Sequence, residues 1–343
     1  MKKIVFTGGG TAGHIVPNFA IIDEIKSQAE VYYIGSNGLE KNLVKEKGIT
    51  FYEIPSTKLK RSLSLSNLII PFKLINSIFK AKKILKKIQP DKVFSKGGYV
   101  SLPVVIAAKN LKIPVISHES DLTMGLANKL VKNKSQVICT SFEKTAQNLK
   151  NGLYTGTPLR KEIFLGNKEN AKKLFKNYTE RPTILVFGGS LGSKTINKVI
   201  INSLDKLNKF NIIHIVGKNN LNDIKKDNYV CLEYTNSIGD LFALSSLVIS
   251  RAGSTSINEL LYLNKPNILI PLSKKASRGD QLLNSEYFKE KGYSKVILEE
   301  NLSTKTLLQT INSLMQEKEK YIQNMKNAPK PNATQKIVTL LLS

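Results

Sequence analysis

The 343-residue chain has few cysteines and no long uninterrupted apolar stretch. Cys139 and Cys231 lie far apart and outside any Cys-x-x-Cys motif, which argues against a disulfide framework or a zinc knuckle and indicates a reducing compartment. No apolar run approaches the roughly 20 residues of a membrane-spanning helix, and the run that follows Met1-Lys2-Lys3 is too short for a signal peptide. We therefore expect any membrane contact to be peripheral.

Acidic residues are also scarce, since 26 Asp and Glu stand against 52 Lys and Arg, a formal net charge of +26. Such an excess predicts attraction to nucleic acid, anionic lipid or phosphorylated substrates, although a general drift in composition is an alternative source of the lysines. With 41% hydrophobic residues the chain can bury sizeable cores. Charge alone does not choose among these partners.

Short apolar runs alternate with segments of helical periodicity, in two successive sets. The predicted strands are 4–6, 31–34, 92–94, 114–117 and 137–139 in the first set, and 183–187, 212–216, 229–233, 247–250 and 267–270 in the second. This pattern predicts two α/β domains, each with a doubly wound parallel sheet. We expect the domains to span residues 1–160 and 161–328, with the tail 329–343 packing back on the first.

The two halves also resemble each other locally. Residues 93–101 line up with residues 248–256, and both segments continue through a helix into a strand marked by proline, at Pro114 and Pro266. The likeness therefore covers a structural unit and supports two domains of similar design.

Three glycine-rich turns follow predicted strands, at residues 8–13, 188–193 and 251–256. Glycine permits positive φ and close backbone approach, while a helix start presents N–H groups and a positive dipole end to an anion. The first turn matches Gly-x-Gly-x-x-Gly and predicts a site for phosphate or an acceptor pyrophosphate. The other two turns contain several serine and threonine hydroxyls and belong to the same predicted domain. Together they favour a binding site for a diphosphate. The second strand ends Ile34-Gly35-Ser36 without an acid, which disfavours NAD.

Several side chains near these turns are candidates for chemistry. Glu259 follows Ser256 by one helical turn and is placed to accept from both ribose hydroxyls, the alternative being a solvent-facing glutamate. His14 at a helix start could take a proton from an attacking hydroxyl, although a capping or packing role is equally open. We expect His118 to line the same site and His214 to lie in the core.

The sequence gives no indication of a metal or other cofactor, because it has no Asp-x-Asp and its three histidines lack metal-ligand spacing. Residues 188–192 formally match the Gly-x-Ser-x-Gly elbow of serine hydrolases. The doubled glycine and the two sister turns favour phosphate instead.

On these residues the chain resembles the MurG family of N-acetylglucosaminyltransferases. The segments that carry the resemblance span nearly the whole chain: 7–18, 95–103, 118–121, 188–193, 251–259, and 279–281 with Asn284. The resemblance implies a GT-B fold, in which two Rossmann-like domains face a cleft. It also implies inverting transfer from UDP-N-acetylglucosamine to the 4-hydroxyl of undecaprenyl-pyrophosphoryl-MurNAc-peptide, in peptidoglycan synthesis and hence in cell shape and division.

The resemblance also implies roles for individual residues. The donor-binding set is Thr11, Ala12, Gly13, Arg160, Ser190, Ile238, Ser254, Thr255, Ser256, Glu259 and Gln281. The acceptor side is Gly10, Gly97, Gly98, Tyr99, Glu119 and Asn128. His14 is the candidate general base. Asp121 stands where a common form of the family has Asn, and it is the alternative base.

Residues 57–92 form the candidate membrane segment, with ten Lys or Arg and one acid. A helical wheel puts Leu74, Ile78, Ala81, Leu85 and Ile88 on one stripe, which should face the sheet. A second stripe of Phe72, Ile75 and Phe79 lies near Lys82, Lys83 and Lys86, which suits an anionic membrane surface. We expect a peripheral protein at the cytoplasmic face of the cell membrane. The alternative is that neighbouring elements bury both stripes.

Two other functions remain open on the sequence. Another GT-B enzyme, such as a glycolipid glucosyltransferase or a UDP-N-acetylglucosamine 2-epimerase, would share the fold and nucleotide site. A non-enzymatic nucleic-acid-binding protein would explain the charge but not the three turns, and the chain lacks the aromatic-basic interleaving of such proteins. We therefore expect no nucleic-acid partner, and protein partners are not predicted.

Overall fold

The computed structural model describes residues 1–55, 70–189, 191–274 and 278–343. The chain divides into two compact units, the first formed by Met1–Arg160 with Pro331–Ser343 and the second by Lys161–Lys330. Two parts of the predicted site lie outside the described residues, namely Ser190 and residues 57–69 of the candidate membrane segment.

The first unit is built on a parallel sheet with the strand order β3-β2-β1-β4-β5-β6-β7 among its described residues. The strands are β1 Lys2–Thr7, β2 Ala29–Gly35, β3 Thr50–Glu53, β4 Lys92–Ser95, β5 Val115–Glu119, β6 Val137–Thr140 and β7 Gly152–Tyr154. The helices are α1 Val16–Ile25, α2 Leu39–Glu46, α3 Ile70–Ile88, α4 Ser101–Asn110, α5 Leu126–Val131, α6 Glu143–Gln147 and the C-terminal α13 Ala333–Leu342.

The second unit repeats this plan with the order β10-β9-β8-β11-β12-β13 in its described part. The strands are β8 Thr183–Phe187, β9 Asn211–Ile215, β10 Tyr229–Leu232, β11 Leu247–Ser250, β12 Asn267–Leu269 and β13 Lys295–Val296. The helices are α7 Lys168–Lys172, α8 Lys194–Ser203, α9 Ile238–Leu244, α10 Ser254–Tyr262, α11 Asp280–Glu290 and α12 Thr304–Lys326. The prediction of two doubly wound parallel sheets is therefore confirmed.

Each of the ten predicted strands coincides with an observed strand to within two residues at either end. The sequence missed β3, β7 and β13, which all lie at sheet edges. Their residues are only partly buried, so they lack the continuous apolar run that marks a central strand of a parallel sheet.

The C-terminal helix α13 belongs to the core of the first unit. Its Ile337, Val338 and Leu341 are buried among residues of β1 and α1. Two strand lysines hold its C-terminal carbonyls, since Lys2 Nζ donates to Leu342 O at 2.5 Å and Lys92 Nζ to Leu340 O at 2.7 Å. Cations at this end also complement the negative end of the helix dipole.

Helix α3 buries one of its two predicted stripes and exposes the other. Ala81, Leu85 and Ile88 are buried in the core, as predicted, and Ile78 packs against it. Phe72, Ile75 and Phe79 are 74%, 52% and 67% exposed, so the alternative that both stripes are buried is wrong. Within the described ranges, we find no helix with the length and apolar character needed to cross a membrane.

Candidate functional site

In the first unit, the turns that follow β1 and β4 interlock. These strands are parallel neighbours, so their carboxyl ends lie side by side. Gly98 has φ +82°, and a Cβ there would lie 2.8 Å from Gly9 O and 3.0 Å from His14 Nδ1. At Gly10 a Cβ would lie 2.6 Å from the Tyr99 ring. Only glycine permits this contact, which brings together four predicted site residues, Gly10, Gly98, Tyr99 and His14.

The contact of His14 with a backbone carbonyl favours one tautomer of its neutral ring. This half-buried residue ends the short 3-10 turn Ala12–His14. Its Nδ1 lies 3.2 Å from Gly9 O and 3.4 Å from Thr11 Oγ1. Because a carbonyl oxygen only accepts, Nδ1 carries the proton and the lone pair is on Nε2. That tautomer gives His14 the lone pair that a general base needs.

A buried carboxylate that the sequence did not indicate lies beneath the first turn. Glu40 of α2 is fully buried, and it accepts from Ser36 N at 3.0 Å and from Gly10 N at 3.3 Å. The N–H group of Gly10, which we expected to be available to a phosphate, therefore already has an acceptor. Glu40 reaches the turn from α2 and not from the end of β2.

The predicted acceptor-side residues Glu119 and Asn128 form a buried turn. Glu119 accepts from Asp121 N at 3.0 Å, from Gly125 N at 2.9 Å and from Asn128 Nδ2 at 2.9 Å. A Cβ on Gly97 would lie 3.1 Å from the same Asn128 nitrogen, so the turn abuts the glycines after β4. Burial, assisted by the charge of Asp121, raises the pKa of Glu119. The turn holds Asp121 at a half-buried position.

The expectation that His118 lines the site is wrong. His118 is fully buried in β5 and donates from Nε2 to Gly156 O at 3.0 Å. Burial, and then the charge of Lys96, holds its pKa well below the usual value, so it stays neutral. The core position predicted for His214 is confirmed, since it is fully buried beside Tyr229 and Asn197.

In the second unit, glycine turns again follow two parallel neighbours, β8 and β11. After β8, Gly189 and Gly192 have φ of +91° and +73°, and Ser193 caps α8 by accepting from Ile196 N. After β11, α10 begins at Ser254 with Gly253 as its N-cap, which supplies no capping side chain. The N–H groups and the dipole of α10 are thus presented at its start, together with the hydroxyls of its first turn.

Arg251 joins these two turns. Its buried guanidinium donates to Ser193 Oγ at 2.7 Å, to Ile270 O at 3.1 Å and to the Glu299 carboxylate. Since Ser193 ends the turn after β8 and Arg251 begins the turn after β11, one side chain fixes both at the same sheet edge. Sequence reasoning gave Arg251 no separate role.

The remaining predicted donor residues of the second unit lie on three helices. Glu259 of α10 is 8% exposed, so a solvent-facing glutamate is excluded. Gln281 of α11 accepts from Leu272 N at 3.1 Å through Oε1, which orients its amide N–H groups away from that strand end. Ile238 begins α9 and is half-buried.

Arg160 ends the first part of the first unit, and its Nε is buried with no hydrogen-bond partner in the described part of the chain. A buried guanidinium nitrogen without an acceptor is costly. No group of three or more His, Cys, Asp or Glu able to hold a metal ion occurs among residues 1–55, 70–189, 191–274 and 278–343.

Comparison with known proteins matches each unit to a domain of one glycosyltransferase family. The model of the glycosyltransferase family 28 N-terminal domain matches residues 4–139, and that of the C-terminal domain matches residues 183–341. A UDP-N-acetylglucosamine–N-acetylmuramyl-(pentapeptide) pyrophosphoryl-undecaprenol N-acetylglucosamine transferase of Clostridium tetani is 49% identical, over 99% of this chain and 97% of that protein. The chain belongs to the MurG family. A relative of the same name in Lachnospira eligens is 48% identical, over 99% of both chains.

Solved structures agree with this fold. The MurG of Acinetobacter baumannii superimposes with a TM-score of 0.79 at 24% identity, covering 100% of this chain and 99% of that one. The UDP-GlcNAc 2-epimerase of Neisseria meningitidis, solved with UDP-GlcNAc bound, gives 0.69 at 18% identity, covering 100% of both chains. At these identities the likeness describes the fold, which this MurG-family chain shares with both.

Proposed function

We propose that the protein transfers N-acetylglucosamine from UDP-N-acetylglucosamine to the 4-hydroxyl of undecaprenyl-pyrophosphoryl-MurNAc-peptide, with inversion. The family relatives, similar over nearly the full length, support this reaction. The structural observation that carries it is the pair of glycine turns that Arg251 joins beside the start of α10. That arrangement suits a nucleotide diphosphate.

The donor binds to the second unit in this proposal. Its diphosphate lies at the start of α10, against the N–H groups and hydroxyls of Ser254, Thr255 and Ser256. Glu259 accepts from the ribose hydroxyls, and Gln281 binds hydroxyls of the transferred sugar. The resemblance to the family adds Arg160, Ser190, Ile238, Thr11, Ala12 and Gly13 to the donor-binding residues. The helix dipole stabilises the charge that grows on the leaving diphosphate, so no metal or other cofactor is proposed.

The acceptor binds to the first unit, along Gly10, Gly97, Gly98 and Tyr99 and the turn held by Glu119 and Asn128. The 4-hydroxyl oxygen attacks the anomeric carbon while the bond from that carbon to the diphosphate breaks. His14 Nε2 receives the hydroxyl proton, and UDP leaves. The tautomer set by Gly9 O supports this role for His14. Asp121 is the second candidate for the base.

The exposed stripe of α3 is the proposed membrane contact. Phe72, Ile75 and Phe79 present apolar surface beside the exposed Lys83 and Lys86. Apolar side chains ringed by cations suit an anionic bilayer surface, where the lipid tail of the acceptor resides. We therefore propose a peripheral protein at the cytoplasmic face of the membrane.

One assay tests the reaction. UDP release from UDP-N-acetylglucosamine is measured with and without the lipid-linked acceptor, and the lipid product is analysed for an added sugar. Release that requires the acceptor and yields a lipid-linked disaccharide is expected. Release without the acceptor would instead indicate an epimerase, and the absence of release in both reactions would contradict the proposal.

A further inference from the structure

Lys96 is a buried cation within the acceptor-side turns. It directly follows β4, is 1% exposed and donates from its backbone N to Thr7 O at 2.9 Å. Its ammonium group donates to Ser120 Oγ. Burying an ammonium group is costly unless it is hydrogen-bonded and balanced by an opposite charge. An uncharged side chain of similar length would fill the same space without that cost, so the charge itself calls for an explanation.

The carboxylates that flank Ser120 are Glu119, at the end of β5, and Asp121. Burial lowers the pKa of Lys96, and the negative charges of Glu119 and then Asp121 oppose that shift, while the neighbouring His118 is buried and neutral. The Glu119 carboxylate already accepts three hydrogen bonds inside its own turn. A Cβ on Gly8 would lie 3.0 Å from Lys96 Cβ, so the base of the lysine side chain lies close to the turn after β1. Asp121 is the half-buried carboxylate of this group.

The second unit has a cation at the corresponding position. The repeat that aligns residues 93–101 with 248–256 pairs Lys96 with Arg251. Both are buried, Lys96 directly after β4 and Arg251 directly after β11. Each donates to the residue that follows the neighbouring strand, Lys96 to Ser120 after β5 and Arg251 to Ile270 O after β12. Arg251 is balanced by the Glu299 carboxylate. At this position in both units, a buried cationic side chain therefore connects two adjacent turns, and its charge has to be balanced by an acidic side chain.

We propose that Lys96 is a positioning residue of the acceptor-side site, whose ammonium group holds the 119–121 turn through Ser120 and balances the charge of the Glu119 and Asp121 carboxylates on either side of that serine. That this site binds the acceptor rests on the proposed function, whereas the charge pairing of Lys96 with the 119–121 turn does not. It also accounts for a carboxylate at position 121, where a common form of the family has an amide, because that carboxylate has a cation to balance it.

A four-protein cycle tests the pairing: the wild type, Lys96→Met, Asp121→Asn and the double variant. Methionine keeps the length of the side chain and removes its charge. We expect Lys96→Met to lower kcat about tenfold when Asp121 is present and less than about threefold in the Asp121→Asn background, with donor KM unchanged. Equal losses in the two backgrounds would overturn the proposal. Lys265→Met is the matched control, because Lys265 is a partly buried lysine of the second unit that donates to Ser245 O, and it should leave kcat unchanged.

A second measurement needs no activity and decides the matter if Lys96→Met does not fold or the reaction proves different. Burial lowers the pKa of Lys96 to about 8, so its titration should stand apart from those of the surface lysines in NMR spectra of protein labelled with ¹³C at lysine Cε. A nearby negative charge raises the pKa of a lysine, so Asp121→Asn should move this titration to lower pH. An unchanged midpoint would show that Asp121 is not the counter-charge, whatever the protein catalyses.

Discussion

The first six strands of the first unit and the six strands of the second have the same order in their described parts, but the glycine turn after the central strand is filled differently in each. In the first unit Gly10 N donates to the buried Glu40 carboxylate, and the turn continues into the short 3-10 turn that ends at His14. In the second unit the turns lead into α8 and α10, and a buried arginine joins them. We infer that one unit presents a base and the other an anion site. The difference comes from the groups placed at the strand ends, since the fold is common to both.

The largest effect should come from the residue that distinguishes the first unit. We expect His14→Ala to lower kcat by roughly a hundredfold or more, because a general base acts only in the transition state. UDP-N-acetylglucosamine affinity, measured by calorimetry, should stay within about threefold of the wild type. A near-normal kcat would assign His14 a structural role and leave Asp121 as the candidate base.

The exposed stripe of α3 gives the next prediction, because it belongs to the first unit alone. Phe72→Ser combined with Phe79→Ser should weaken pelleting with anionic vesicles by roughly a hundredfold or more, since each ring contributes about 1.5–3 kcal/mol when buried. Donor binding should be unchanged, and activity should fall only on long-chain acceptor. Phe164→Ser, at an exposed phenylalanine of the second unit, is the matched control. Undiminished pelleting at moderate salt would place the membrane contact elsewhere.

Donor contacts in the second unit should have a smaller effect. We expect Glu259→Ala to weaken UDP-N-acetylglucosamine binding about tenfold to a hundredfold, because it removes a hydrogen bond between a carboxylate and a sugar hydroxyl, worth roughly 1.5–3 kcal/mol. Gln281→Ala should weaken it about twofold to tenfold, because a hydrogen bond between neutral groups is worth roughly 0.5–1.5 kcal/mol. Glu286→Ala, on the exposed side of α11, should change little. If both site variants kept the donor KM of the wild type, their assignment to the donor would be wrong.

The smallest effect should be that of magnesium. Since the proposed diphosphate site consists of N–H groups, hydroxyls and the positive end of a helix dipole, donor affinity should be the same in EDTA and in millimolar magnesium. Loss of donor binding in EDTA would instead require a metal bridge to the diphosphate.

The central strands and the burial of α3 could be predicted because their residues carry their own pattern. Residues 183–187 form a continuous apolar run, and Ala81, Leu85 and Ile88 repeat at helical spacing. The edge strands β3, β7 and β13 are two to four residues long and have no such run. The edge strand β10 could be predicted because it keeps the apolar run Tyr229–Leu232, so the local run and not the edge position decides what the sequence reveals.

The candidate site could be predicted where glycine is required by the backbone and less well where side chains meet from distant segments. The contact between Gly10 and Tyr99 follows from two turns at neighbouring strand ends, which the βα pattern already implies. The contact between Glu40 and Gly10 depends on how α2 folds back, and the contact of Lys96 with Ser120 on the turn after β5. No spacing along the chain reveals either pair.

A crystal structure with UDP bound tests the contrast between the two units most directly. We predict phosphate oxygens within hydrogen-bonding distance of the backbone N–H groups at Ser254, Thr255 and Ser256, and Glu259 accepting from the ribose hydroxyls. The turn at residues 8–13 should hold no phosphate, because Gly10 N already donates to Glu40. A diphosphate seated on that first-unit turn, with the start of α10 unoccupied, would contradict the account.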